Sequence, residues 1–394
     1  MGSLLIDNVR LVRPGCSVEP GSIRVSDGRI ATIGKPGPEP GAGCTRIDGG
    51  GRLLTPGLID LHTHGIEHWQ YEASAGDLAA GVARLARRGT TCILPTVIPR
   101  LKDRFLENLA ELADAAASVR AVSIPGLHIE GPFVALTGAA CEPVSGDVKL
   151  VDDIVAACRG RVVVMSLSPE VPNILPVIER LVEHGVRPFI THTQANVEQT
   201  QAAIDAGARH ATHFYDVFPA PPETEPGVRT AGAVETILAD PRATVDFICD
   251  GRHVHPMAVK AALAAKGWER VALISDSNVG AGLPAGIYPT PWGYPVKVSP
   301  DDAARIHDER HPSHGLLAGS SLTMERGIAN LLGWLTLPPE QIWAMGTLVP
   351  ARVAGLVRKG RLEVGADADL VLWEENLRPV RTWVAGECVY EAPG

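Results

Sequence analysis

Eight short apolar runs alternate with helical patterns along the chain, and this alternation constrains the fold more than any other feature. The runs lie at 57–62, 90–96, 123–130, 162–169, 186–192, 208–214, 244–250 and 270–276. Helical stretches separate them, and several of these stretches end in glycine, a common helix terminator. Repeated strand–helix units predict a parallel sheet, and eight units favour a closed barrel over an open sheet. We therefore predict an α/β fold of the (β/α)8 TIM-like barrel type.

The two ends of the chain differ from this middle part. Residues 1–55 and the last thirty or so residues contain short alternating runs separated by turn residues, with Asp-Gly and Gly-Gly as turn centres in the first part. This pattern predicts one small β domain built from residues 1–55 and 356–394, with the barrel at 56–355. The segment 290–315 fits neither period and is rich in Pro, Gly, His and charge, so we predict a long loop or lid after the eighth strand.

The composition excludes several classes of protein. Of the 394 residues 45% are hydrophobic and 21% charged, as in soluble globular proteins. The net charge of −9 argues against a nucleic-acid partner, which requires clustered Lys and Arg. The apolar stretches fall short of the roughly 18 residues that cross a bilayer, and no leader pattern is visible, so we expect a cytoplasmic protein with no membrane partner. The seven cysteines form no CxxC pair, which disfavours a disulfide framework or a thiolate zinc site.

Ionisable side chains follow five of the predicted strands, at the barrel end where active sites lie. They are His62 and His64 after the first strand, His128 and Glu130 at the third, His192 at the fifth, His213 at the sixth and Asp276 at the eighth. Side chains two positions apart on a strand share a face, so His62 and His64 can form a chelate. Imidazole and carboxylate groups without cysteine suit zinc, or alternatively iron, manganese or cobalt. Taken singly, such a histidine can be structural, and Glu130 or Asp276 can cap a helix or loop.

Seven motifs occur in an order that resembles a known family. They are "LHIEGPF" (127–133), "THTQAN" (191–196), "ATHFYDVF" (211–218), "EPG" (225–227), "DGRHV" (250–254), "LISDS" (273–277) and "GSSLTM" (319–324). At these residues the chain resembles the amidohydrolase superfamily and, within it, the N-acetylglucosamine-6-phosphate deacetylase family. The resemblance implies a distorted (β/α)8 barrel, a β-sandwich formed by both termini, and metal-dependent amide hydrolysis.

The resemblance also implies roles for individual residues. Glu130, His192 and His213 match the ligands of a principal divalent metal, and His62 with His64 match a second site, so one or two ions per subunit are expected. Asp276 matches the catalytic aspartate that acts as general base and then acid.

Substrate contacts are implied as well. His253 matches a histidine that reaches the substrate of a neighbouring subunit, which implies a homodimer, and Asp216 and Val217 fall in the substrate-binding segment. Arg229 or Arg252 can supply an anion contact, although a surface or lid-anchoring role is the alternative for both.

Three positions depart from the family pattern. Ala140 or Cys141 stands where the family has a histidine that polarises the amide carbonyl, and Thr224 replaces a phosphate-binding arginine. Asp216 stands where the family typically has Asn. We therefore expect the hydrolytic residues to be retained and the phosphate pocket to be altered.

The sequence thus predicts a metal-dependent amide hydrolase that deacetylates a small N-acetylamino sugar. The substrate is N-acetylglucosamine-6-phosphate or a related, unphosphorylated sugar, and the products are the amine and acetate. N-acyl amino acid deacylation and cyclic-amide hydrolysis are alternatives, because one barrel hosts many reactions. A non-catalytic metal-binding homologue is a third alternative.

Overall fold

The chain begins with five β-strands. A computed structural model describes residues 3–34, 43–101, 104–136, 141–299 and 302–393. The first strands are β1 (Ser3–Arg13), β2 (Ser17–Ser26), β3 (Arg29–Gly34), β4 (Cys44–Asp48) and β5 (Leu53–Pro56). Strands β2 and β3 form a hairpin around Asp27 and Gly28, whose φ angles of 51° and 74° suit the tight two-residue turns that Asp-Gly favours. The turn predicted there is confirmed.

A parallel eight-stranded sheet forms the barrel. After β6 (Leu58–Thr63) and a short pair, β7 (Gly65–Ile66) and β8 (Trp69–Gln70), the barrel strands continue as β9 (Thr90–Val97), β10 (Leu127–Glu130), β11 (Val162–Leu167), β12 (Arg187–Ile190), β13 (His210–Ala211), β14 (Thr244–Ile248) and β15 (Val271–Ile274). Neighbouring strands follow chain order from β6 and β9 to β15. The ring nearly closes, because the Asp276 amide donates to the His62 carbonyl at 2.9 Å beside β6. Each predicted apolar run overlaps one barrel strand, and the predicted barrel is confirmed.

Ten α-helices accompany these strands in the described residues. They are α1 (Ala75–Leu85), α2 (Phe105–Ser118), α3 (Val148–Ala157), α4 (Ile174–Glu183), α5 (Val197–Ala206), α6 (Ala233–Ala239), α7 (Pro256–Lys266), α8 (Met324–Trp334), α9 (Pro339–Met345) and α10 (Leu348–Val353). Helix α5 shows how local sequence sets the limits. The Asn196 side chain accepts from the Gln199 amide at 2.8 Å and the Gln199 side chain accepts from the Asn196 amide at 3.0 Å, a capping box. Gly207, with φ of 128°, ends the helix.

A small antiparallel sheet follows the eighth barrel strand. It contains β16 (Gly286–Tyr288), β17 (Val296–Ser299) and β18 (Asp302–Ile306), and it packs around Val296, Val298 and Ala304. The prediction of a loop over 290–315 was therefore wrong for β17 and β18. The alternation of buried and exposed residues in β17 covers only four residues, which is too short to distinguish a strand from a loop in the sequence.

The chain ends by returning to the first sheet. Strands β19 (Leu370–Trp373), β20 (Pro379–Val384) and β21 (Glu387–Glu391) extend it, because β19 pairs antiparallel with β5. The path of this eight-stranded sheet is β21-β20-β19-β5-β1-β2-β3, with β4 beside β1. The buried Trp373 indole donates to the Thr55 hydroxyl at 2.8 Å across the junction of β19 and β5. Both termini therefore share one sheet, and the boundaries at 55 and 356 stay a prediction.

Two further features concern cysteine and membrane contact. All seven cysteines are free thiols in the described residues. Within the described ranges, no helix is both long and apolar enough to cross a membrane.

Candidate active site

The ionisable residues predicted at the strand ends converge at the carboxyl end of the barrel. Six of them have side chains close together: His62, His64, Glu130, His192, His213 and Asp276. His62 and His64 share the inward face at the end of β6, and their Nε2 atoms lie 3.2 Å apart. The shared face that the HxH spacing predicted is present.

Glu130 lies between two pairs of imidazoles. Its Oε1 atom lies 3.1 Å from Nε2 of His192 and 3.3 Å from Nε2 of His213. Its Oε2 atom lies 3.3 Å from Nε2 of His64 and 3.5 Å from Nε2 of His62. The carboxylate at the end of β10 therefore presents a separate oxygen to each pair.

Asp276 reaches the same cluster from the end of the last barrel strand. Its Oδ1 atom lies 3.4 Å from Nε2 of His64 and 3.6 Å from Nε2 of His62. The side chain of Asp276 is 14% exposed, whereas that of Glu130 is 5% exposed. Asp276 is thus the carboxylate of the cluster that is more accessible from the cleft.

Three residues of the cluster have left-handed backbone conformations. The φ angle is 45° at His192, 37° at His213 and 47° at Asp276. Residues other than glycine adopt this region at a cost of about 1–3 kcal/mol, and such residues concentrate at functional sites. The chain bends sharply just after three strands, and these bends direct the side chains toward one another.

A second set of buried groups positions these imidazoles. The Asp246 carboxylate on β14 accepts from the His213 amide at 2.6 Å and lies 2.9 Å from Nε2 of His210. Nδ1 of His62 lies 3.1 Å from the Thr212 hydroxyl. His128, inside the barrel, bonds the Leu61 carbonyl through Nδ1 at 2.8 Å. Such supporting hydrogen bonds fix the orientation of ligand side chains.

The charges in the cluster stabilise one another. Burial alone would raise the pKa of Glu130, but its electrostatic interaction with the His62 imidazole and the hydrogen bonds of His192 and His213 hold it well below its usual range. Burial likewise acts to raise the pKa of Asp276, but its electrostatic interaction with the His62 imidazole and the hydrogen bond with His64 lower it. Burial lowers the pKa of His213, yet Glu130 raises it to about 9. Both carboxyl groups are therefore ionised at neutral pH.

The donor atoms fit a divalent metal ion. The ligand atoms of His62, Glu130 and His213 lie within 4.8 Å of one another, and so do those of His62, His64 and Asp276. The Nδ1 atoms of His64, His192 and His213 are buried and have no hydrogen-bond partner among the described residues. Imidazole nitrogens and carboxylate oxygens, with no thiolate among them, are suitable ligands for zinc and related ions.

A cleft of about 510 Å³ opens above this cluster. It is lined by His64, Ile98, Arg100, Glu130, His192, His213, Asp216, Val217, His253, Asp276, Asn278, Trp292, Tyr294, Ile306, Ser313, Leu316, Leu317, Ala318 and Gly319. The predicted substrate contacts Asp216, Val217 and His253 are thus in the cleft of their own chain. Arg229 and Arg252 are not among its lining residues.

His253 and Arg229 occupy contrasting positions. The His253 side chain is almost fully buried, and its Nδ1 atom lies 2.6 Å from the Asp250 carboxylate. Burial lowers the pKa of His253, but Asp250 raises it above its usual range. Arg229 is 89% exposed and pairs with Glu235 at 3.2 Å. That His253 reaches a neighbouring subunit stays a prediction.

The position of the missing carbonyl-polarising histidine is partly described. Ala140 lies outside the described residues, whereas Cys141 is half-buried beside Gly131, the residue after Glu130. Burial and the charge of Glu130 raise the pKa of the Cys141 thiol to about 12. The thiol is therefore neutral at physiological pH.

Several lining residues were missed from the sequence. Arg100 follows β9, and Trp292 and Tyr294 belong to the small antiparallel sheet region. The unusual composition of 290–315 signalled a functional segment, but it did not indicate which side chains enter the cleft. Arg100 gave no signal, because a single arginine after a strand is common at protein surfaces.

Comparison with known proteins places these observations in a family. The sequence profile of the amidohydrolase family matches residues 53–389. The N-acetylglucosamine-6-phosphate deacetylase of Lysinibacillus sphaericus is 31% identical, over 98% of this chain and 97% of that protein. The N-acetylgalactosamine-6-phosphate deacetylase of Escherichia coli O157:H7 is 30% identical, over 93% of each chain.

A solved structure agrees with the sequence comparison. A mutant N-acetyl-D-glucosamine-6-phosphate deacetylase from Mycobacterium smegmatis, in complex with N-acetyl-D-glucosamine-6-phosphate, superposes with a TM-score of 0.82. It is 28% identical and covers 98% of this chain and 99% of its own. Because the family profile matches most of the sequence, the chain belongs to the amidohydrolase family.

Proposed function

We propose that this protein is a metal-dependent amide hydrolase that removes the acetyl group from an N-acetylamino sugar and releases acetate. The observation that carries the proposal is the buried convergence of four imidazoles and two carboxylates at the floor of the cleft. The relatives from L. sphaericus and E. coli, which match almost the whole chain, are deacetylases of N-acetylated amino-sugar phosphates. Family membership and the donor set therefore support the same chemistry.

Glu130, His192 and His213 would hold the principal ion, and His62 with His64 would contribute to a second. The two oxygens of Glu130 face the two histidine pairs separately, and this arrangement supports two ions per subunit. We propose zinc as the metal, with iron, manganese or cobalt as alternatives that the same donor atoms accept.

When bound, such an ion would lower the pKa of water and act as a Lewis acid that polarises a carbonyl group. Asp276 supplies the proton transfers. Its lowered pKa keeps the carboxylate ionised at neutral pH, so Oδ1 can accept a proton from the attacking water. The same oxygen then returns the proton to the departing nitrogen, so that the product leaves as an amine. Glu130 is more deeply buried and faces the histidines, which suits a ligand better than a proton carrier.

The activity is tested with the metal-reconstituted protein and three sugars. N-acetylglucosamine, N-acetylglucosamine-6-phosphate and N-acetylgalactosamine-6-phosphate are incubated separately, and both the freed amine and acetate are measured. We expect equal amounts of the two products from at least one sugar. A metal-loaded protein that releases neither product from any of the three contradicts the proposal. N-acyl amino acids and cyclic amides, assayed in parallel, test the alternative reactions.

We further propose that the protein acts as a cytoplasmic homodimer. The family resemblance at His253 supports the dimer. Light scattering of the purified protein tests the oligomeric state, and a monomeric mass under assay conditions contradicts the dimer.

A further inference from the structure

Asp216 presents an unpartnered carboxylate to the catalytic cleft. It lines the cleft, and its side chain makes no hydrogen bond or ion pair with any residue in the described part of the chain. Its backbone is fixed, since its amide donates to the His213 carbonyl at 3.0 Å. The neighbours Tyr215 and Val217 have left-handed φ angles of 74° and 54°. This backbone conformation therefore places a hydrogen-bond acceptor without a partner among the described residues at the wall of the cleft.

The two histidines whose pKa values Asp216 helps to raise, His213 and His253, are paired with other carboxylates, Glu130 and Asp250. His253 is near enough for Asp216 to raise its pKa, but His253 is already paired with Asp250 at 2.6 Å. The imidazole of His253 therefore has its hydrogen bond with Asp250 and makes none with Asp216.

Arginine side chains do little to offset the charge of Asp216. Arg100 is the one Arg or Lys among the described lining residues, and its guanidinium lies 3.8 Å from the Glu72 carboxylate. Arg229 lies outside the cleft and pairs with Glu235. Neither an arginine nor a lysine of the described lining residues therefore pairs with Asp216.

A carboxylate at such a position discriminates between substrate groups by charge. It accepts hydrogen bonds and cannot donate them, so a hydroxyl or ammonium group is a suitable partner. A phosphate ester offers only acceptor oxygens and negative charge at neutral pH, and like charges repel strongly where water is partly excluded. Selection against a competing ligand through a repulsive contact is a common route to specificity.

We infer that Asp216 selects substrates by their charge. Its carboxylate accepts a hydrogen bond from a sugar hydroxyl and disfavours a phosphate ester. The cleft then takes neutral N-acetylated sugars in preference to their 6-phosphates. This inference rests on the proposed sugar deacetylation, and it goes further by naming the residue that selects the substrate class.

The decisive experiment compares two substrates and three proteins. The kcat/KM values for N-acetylglucosamine and N-acetylglucosamine-6-phosphate are measured for the wild type, Asp216→Asn and the control Glu179→Gln. Asp216→Asn keeps the shape and removes the charge. Glu179 is exposed on α4 and absent from the cleft lining, so Glu179→Gln removes the same charge from the surface.

We expect the wild type to prefer the unphosphorylated sugar. Asp216→Asn should shift the ratio of the two kcat/KM values toward the phosphate ester by about tenfold or more, and Glu179→Gln by less than about twofold, because exposed charges are screened. A wild type that prefers the phosphate ester, or an unchanged ratio in Asp216→Asn, overturns the inference.

A binding measurement separates this inference from the proposed function. The affinities of glucosamine and glucosamine 6-phosphate for the metal-loaded wild type and Asp216→Asn are measured by calorimetry. If neither sugar is deacetylated, the proposed function fails, and tighter binding of glucosamine 6-phosphate by Asp216→Asn still supports the role of Asp216. If both proteins bind glucosamine 6-phosphate equally tightly, or if neither binds it, the inference about Asp216 is overturned.

Discussion

Nε2 of His192 lies 3.1 Å from Oε1 of Glu130, although 62 positions separate the two residues in the sequence. Glu130 ends β10 and His192 follows β12, so the contact exists only because parallel strands end at one face of the barrel. The second oxygen of Glu130 faces His64 at 3.3 Å. One carboxylate therefore links both halves of the candidate metal centre.

Replacement of Glu130 tests this link. We expect Glu130→Gln to lose most of the bound metal, because an amide keeps the shape but removes the anionic oxygens that face both histidine pairs. The metal-to-protein ratio is measured by mass spectrometry after dialysis, with His184→Gln as a control that removes an imidazole paired with Asp152 at the surface. Full metal content in Glu130→Gln contradicts its assignment as a ligand.

Asp276→Asn separates proton transfer from metal binding. We expect metal content near that of the wild type and a fall in kcat of about 10²–10⁴-fold, the usual contribution of a general base or acid. Turnover and metal content are measured on the same preparation. Loss of metal together with activity makes Asp276 chiefly a ligand, which its distance of 3.4 Å from His64 permits.

Asp246→Asn tests the buried hydrogen bonds that orient the proposed metal ligands. The variant weakens the buried contacts of Asp246 with the His213 amide and with His210, so we expect a loss of about 1–3 kcal/mol in the free energy of unfolding. Metal affinity should fall by about 10–100-fold, as is common for residues that orient ligands. Chemical denaturation and metal titration measure the two effects.

The control for this variant is Asp205→Asn, which removes an exposed carboxylate that pairs with Arg242. If Asp246→Asn matches this control in metal affinity, Asp246 has only a structural role.

Much of the barrel and of the site could be predicted because both depend on local periodicity. The runs "LIDLHT" and "TTCILPTV" are fully buried as β6 and β9, so their continuous apolar character identified them as strands. The positions of His62, His192 and Asp276 just at strand ends then followed from the rule that parallel strands share one edge.

The rest depends on tertiary contacts that periodicity does not encode. Nothing local distinguishes Arg229, which pairs with Glu235 at the surface, from Arg100, which lines the cleft. The entry of Trp292 and Tyr294 into the cleft depends on how the small antiparallel sheet packs over the barrel. The two-sided environment of Glu130 likewise requires three other strand ends in place.

The terminal sheet offers a test of stability that is independent of the active site. Leu54 on β5 is fully buried between strands from both ends of the chain, and we expect Leu54→Ala to lower the free energy of unfolding by about 2–5 kcal/mol. Val357→Ala, at a position that is 75% exposed, should change it by less than about 0.5 kcal/mol. Equal stability of the two variants indicates that the terminal sheet does not unfold with the barrel.

The most direct test of the account is a crystal structure of the zinc-loaded protein with data collected at the zinc absorption edge. We expect an anomalous peak bounded by Glu130, His192 and His213, and a second near His62 and His64. A map without a peak among these five side chains, in a protein that releases acetate from an N-acetylamino sugar, contradicts the metal-dependent mechanism.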